Sequence, residues 1–191
     1  MEPARLEAFT DGVVAIIITI MVLEIRVPEG VTLAALSASV PVLLAYLLSY
    51  VNVGIFWNNH HHMLQVTERV DGGVLWANLA LLFWLSLVPF VIRWIDTAGF
   101  VTLPTASYGV VLLGAAISYT VLERRIIAVN GRDSGLAQAV GDDRKGLVSL
   151  ALYAAAIPLA FLRPWTSMVL YVTVALMWLV PDRRIERHLG T

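Results

Sequence analysis

The chain has 191 residues, 59% of them hydrophobic and only 14% charged, with a mean hydropathy of +0.78. A soluble domain is about half apolar and a quarter charged; the excess here is gathered into long blocks between short charged loops, the pattern of an integral membrane protein. The formal net charge of −1 offers no basic surface for nucleic acid, and the absence of Cys excludes disulfides, thiolate metal sites and cysteine nucleophiles.

Six apolar blocks are each about long enough to cross a bilayer. The first runs from Ala4 to Ile25. It opens on Met-Glu-Pro-Ala-Arg and is followed by no small-residue cleavage site, so it is read as a span and not as a cleaved leader. Asp11 lies at its edge, where a carboxylate is costly. One reading is a helix N-terminal acid favoured by the dipole, with Thr10 as a cap. The other is a carboxylate with a partner. Arg5 and Asp11 are six residues apart, which on a helix of about 100° per residue separates them by roughly 240°, so the partner is expected on another helix or another subunit. Glu24 and Arg26 mark the outer end of this block, either as a solvated interface or, for Glu24, as a carboxylate near a cation entrance.

The second block spans Leu33 to Asn58, with Pro41 as a potential kink, and ends in Trp57-Asn58-Asn59-His60-His61-His62. Three consecutive histidines fan over about 200° on a helix, so they cannot share one metal ion. The simplest reading is interfacial histidines beside a membrane-belt tryptophan. The favoured one pairs His60 or His61 with Asp11, since both lie at the same membrane depth. The third block, Val74 to Ile95, carries Asn78 and Ser86, which can hydrogen-bond across helices, and Pro89, which lacks a donor and should kink the span. The fourth covers Ser107 to Ile127. A polar, Gly-rich loop from Asn130 to Lys145 leads to the fifth, Gly146 to Leu162, and the sixth, Trp165 to Val180, joined by the tight turn Leu162-Arg163-Pro164-Trp165.

Backbone groups cannot stay unpaired in hydrocarbon, and the blocks are apolar all round, so the chain is predicted to be all-α, a single six-helix transmembrane domain over 1–191 with no soluble domain. With the N-terminus inside, the inner face carries Arg5, Arg69, Arg124, Arg125, Arg132, Arg144, Lys145, Arg183, Arg184 and Arg187, and the outer face only Arg26, Arg93 and Arg163. Ten against three follows the positive-inside rule and places both termini in the cytoplasm. No nucleotide loop, metalloprotease motif, Gly-x-Ser-x-Gly, potassium-filter Thr-Val-Gly-Tyr-Gly or voltage-sensor arginine series is present. Nothing here points to an enzyme, a cofactor or a metal.

The string Arg5-x-x-x-Phe9-Thr10-Asp11 at the start of the first block resembles the Arg-x-x-x-Phe-Ser-Asp signature of the TMEM175 family in its prokaryotic form, with Thr10 retaining the hydroxyl of Ser. Trp57-x-x-His60-His61 and Asn78, Phe83, Ser86, Pro89 and Phe90 are similar to further family features, and the resemblance covers essentially the whole chain. It implies a potassium-permeable channel of a prokaryotic plasma membrane, a homotetramer with its first helices around a central pore and no carbonyl filter. Its partners would be further copies of itself, membrane lipids and permeant monovalent cations. Carried over from the family, Ile16, Ile20 and Leu23 form a hydrophobic constriction, Thr19 and Glu24 are pore-associated, and Arg5, Phe9, Thr10, Asp11, Trp57, His60 and His61 serve gating and assembly. Ile16, Ile20 and Leu23 do share one helical stripe, but Val13, Ile17, Ile18 and Val22 are as apolar, so periodicity alone does not choose the pore face. The alternative function is a secondary transporter, proton-coupled through Asp11 and His60, although no internal repeat supports it.

Overall fold

The computed structural model describes residues 2–131, 133–140 and 143–179. Arg132, Arg183, Arg184 and Arg187 of the basic inner set, and Val180 at the end of the sixth expected span, lie outside the described residues. The regular structure of the described chain is all helical: α1 (Pro3–Leu23), α2 (Leu33–Gln65), α3 (Gly72–Ser86), α4 (Val88–Ala98), α5 (Thr102–Asn130), α6 (Gly135–Val140), α7 (Arg144–Leu162) and α8 (Pro164–Leu179).

The helix starts have local causes. Pro3 opens α1, where its missing N–H is not needed. Thr32, Asp71 and Asp143 cap α2, α3 and α7 by accepting from Ala35 N, Val74 N and Gly146 N at 3.2, 2.8 and 2.8 Å. The predicted turn at Arg163 is realised tightly, since it is the one residue between α7 and α8.

Five helical segments are long and apolar enough to cross a bilayer, with α3 and α4 counted as one span, and α8 adds a sixth, shorter apolar helix of 16 residues. At 1.5 Å per residue α8 covers about 24 Å, less than the roughly 30 Å of hydrocarbon. The chain is a multi-pass membrane protein with the all-α fold expected, and the described residues supply five spans and the shorter α8.

Three boundaries differ from expectation. First, α2 does not end at Asn58 but continues through the histidines to Gln65, 33 residues in all. His60, Met63 and Leu64 are buried there, so packing extends a helix that hydropathy would stop. It also passes Pro41 without interruption. Second, the third span breaks into α3 and α4 at Leu87, two residues before Pro89, which occupies the first turn of α4. Third, the loop after α5 contains the short helix α6.

α5 is the central post, packed on α3 and α7 most extensively and also on α4 and α8. Two glycines permit this. The Trp84 ring of α3 occupies the space a Cβ on Gly114 would need, and the Tyr171 hydroxyl and Ile157 do the same at Gly109. A buried polar seam crosses the centre. The Tyr108 hydroxyl lies 2.9 Å from Ser49 Oγ and accepts from Asn52 Nδ2 at 3.4 Å, and the Tyr153 hydroxyl donates to Asn52 Oδ1 at 3.4 Å. α1 stands at the margin of this bundle, against α2, α3 and α4.

Candidate pore helix and its anchors

α1 has two faces. Leu6, Thr10, Val14, Ile17 and Met21 are buried in the bundle, spaced at four, four, three and four residues, as one side of a helix requires. The rest of the helix is bare over a wide arc: Ala8, Gly12, Ala15, Thr19 and Val22 stand opposite the buried row, and a second exposed row runs along one edge of that arc. Arg5, Phe9, Ile16, Ile20 and Leu23 fall within about 60° of one another around the axis. Ile16, Ile20 and Leu23 are 59%, 40% and 79% exposed. Gly12 lies on the same side, with open space where a Cβ would stand. Among the apolar residues that periodicity could not separate, Ile17 faces inward and Ile16, Ile20 and Leu23 face out of the subunit. Val22 is exposed as well, at 48%, so exposure turns Ile16, Ile20 and Leu23 outward without singling them out.

The base of α1 is held by two sets of polar contacts. On one side, Glu7 and Asp11 of α1 meet Trp57 and His61 of α2, each pair four residues apart on its own helix. Trp57 Nε1 donates to Asp11 Oδ1 at 2.8 Å. His61 Nδ1 lies 2.5 Å from Glu7 Oε1, and its Nε2 accepts from Gln65 Nε2 at 2.8 Å. The Trp57 and His61 rings stack, with centroids 5.8 Å apart. On the buried side, Asn78 of α3 joins the other two helices. Its Nδ2 donates to Thr10 Oγ1 at 2.9 Å and its Oδ1 lies 2.8 Å from His60 Nε2. Since Oδ1 can only accept, His60 carries its proton on Nε2. Thr10, His60 and Asn78 are all essentially inaccessible.

Several expected contacts are redrawn. Asp11 pairs with the Trp57 indole, not with His60 or His61. The two histidines serve Thr10, through Asn78, and Glu7. The helical fan explains the split: at about 100° per residue, neighbouring histidines cannot address one carboxylate. Without an Asp11–His60 contact, the proton-coupled transporter loses the pair on which it was built. Arg5 and Phe9 are outside this cluster, exposed along the stripe, with no side-chain hydrogen bond or ion pair among the described residues. Thr19 does not reach a neighbouring helix, and its hydroxyl donates to Ile16 O at 2.9 Å within α1. Ser86 likewise turns back to Phe83 O at 2.7 Å. Glu24 is not a free carboxylate, because Arg93 Nη1 donates to its Oε2 at 2.6 Å. Glu7 and Asp96 went unassigned in the sequence, and Arg93 was placed only on the outer face. The matched four-residue spacings of Glu7 with Asp11 and Trp57 with His61 were the available signal for the first.

Comparison with known proteins adds independent findings. Residues 5–89 match the family model described as endosomal/lysosomal potassium channel TMEM175. The chain is 50% identical over 189 residues, 99% of its length, to a protein of Chryseobacterium sp. (strain P1-3) named a potassium channel, of which it covers 98%. It is 39% identical over 96 residues to the human endosomal/lysosomal proton channel TMEM175, matching 44% of this chain and 19% of that protein. Its fold is similar to the crystal structure of a lysosomal potassium-selective channel TMEM175 homolog from Chamaesiphon minutus, with a TM-score of 0.75 and 26% identity over 93% of this chain and 96% of that one.

Proposed function

This chain belongs to the TMEM175 family, and from that premise we propose that it is a potassium-permeable channel whose constriction is a set of aliphatic rings in place of a carbonyl filter. It is a channel and not an enzyme, in keeping with its named relatives. Four copies assemble around the exposed face of α1, and the whole chain acts as one transmembrane unit of a prokaryotic plasma membrane with both termini in the cytoplasm.

The observation that carries this reading is the two-sidedness of α1. A helix that buries Leu6, Thr10, Val14, Ile17 and Met21 in its own subunit, with Val13 and Ile18 partly buried beside them, leaves Ile16, Ile20 and Leu23 for something outside it. Lipid contact alone would explain an apolar face. It does not explain why the same face begins with Arg5, carries Gly12 and Thr19, and ends beside the ion-paired Glu24. Around a four-fold axis these side chains form successive rings, apolar and narrow enough to exclude water when closed. The polar contacts at Thr10, Asp11 and Glu7 set the height and rotation of α1, and so decide which side chains reach the axis.

Purified protein recorded in planar bilayers with potassium on one side and sodium on the other tests the function. The expected result is a cation current whose reversal potential is displaced toward potassium equilibrium. A current without potassium preference contradicts selectivity, and no current at all contradicts the channel reading.

A further inference from the structure

Glu24 and Arg26 leave the outer end of α1, while Arg93 and Asp96 lie about one turn apart on α4. Their charges are crossed: acid then base just past α1, base then acid on α4. Arg93 Nη1 donates to Glu24 Oε2 at 2.6 Å, and Arg26 Nε lies 3.5 Å from Asp96 Oδ2. Crossed charges specify one register, because sliding α1 along α4 would set Glu24 against Asp96 or Arg26 against Arg93. Beneath the pairs, Met21 of α1 joins the same buried cluster as Ile92 and Ile95 of α4. At the base of α1 the grip comes from Asn78 on α3. α3 and α4 are two pieces of one span, interrupted at Leu87. One broken span thus holds α1 at both ends, with its interruption between the two grips.

We propose that α4 is a positioning arm for the outer end of the pore: Arg93 and Asp96, acting through Glu24 and Arg26, set how far the Leu23 side chains stand from the axis. This rests on α1 being the pore helix. It gives Glu24 a role unlike that of a free charge at a cation mouth, since Arg93 compensates its carboxylate.

Potassium current through the intact channel in symmetric KCl separates the two roles. As a mouth charge, Glu24→Gln lowers the current and Arg93→Gln raises it, and both effects fade as salt screens the surface. As an arm, the two substitutions break the same contact. They then shift the current in the same direction by about two- to fivefold, the range a partly exposed ion pair supports, at low and high salt alike. The charge-swapped Glu24→Arg/Arg93→Glu protein, and Arg93→Lys, should recover wild-type current. Opposite signs, no change in either single variant, or a swap that recovers nothing overturns the proposal. Leu23→Ala recorded alongside separates this from failure of the pore reading. If Leu23→Ala alters the current and the pair substitutions do not, the arm falls and the pore helix stands. If none of the three alters it, both fall.

Discussion

Asn78 shows how much one side chain can organise. Both ends of its amide are used, one on Thr10 of α1 and one on His60 of α2, and all three residues are shut away from solvent. Replacing it with Leu keeps the γ-branched shape, at a larger volume, and strands two buried polar groups. The expected cost is about 1–2 kcal/mol, reduced from the aqueous value because the membrane-embedded reference state finds partners of its own. The thermal midpoint of the detergent-solubilised protein should fall for Asn78→Leu and hold for Arg5→Ala, whose side chain is exposed. Equal midpoints would remove Asn78 from this role. The sequence made Thr10, Asp11 and His60 conspicuous but not their pairing, because pairing depends on helix rotation. Asp11 and Thr10 are adjacent in the chain and about 100° apart around the axis, so one meets Trp57 on α2 and the other meets Asn78 on α3.

Helices were more legible than their ends. Long apolar runs located every span, and Leu162-Arg163-Pro164-Trp165 located the α7–α8 hairpin. The apolar span was ended at Asn58 because Asn58, Asn59 and the histidines depress hydropathy; the histidines were read as helical, and the helix runs on through the buried Met63 and Leu64 to Gln65. The interruption at Leu87 was anticipated as a kink at Pro89; the chain breaks earlier because Pro89 sits in the first turn of the new helix and not inside the old one. Packing between helices left a fainter trace. Nothing in the pattern around Gly114 says that the Trp84 ring will lie across it. Gly114→Val should therefore force α3 from α5 and cost about 1–3 kcal/mol, as overpacking does in close-packed interiors. A lowered unfolding midpoint is the expected result, and an unchanged one would show that α3 and α5 can separate without penalty.

For the molecule as a whole, the architecture separates scaffold from working face. α5, α7 and α8 supply much of the buried core together with α3, while α1 stands at its edge and presents a continuous apolar stripe outward. In the proposed channel this arrangement would serve symmetric assembly, with one marginal helix from each copy meeting the others on an axis. The apolar residues of α1 were indistinguishable in the sequence until burial sorted Ile17 and Met21 from Ile16, Ile20 and Leu23. The most direct test of the central claim compares Ile16→Asn with wild type in potassium bilayer recordings. Wetting one ring of the constriction should raise the open-channel current several-fold while the oligomer stays intact. An unchanged current from an intact oligomer would contradict the assignment of this face to the pore.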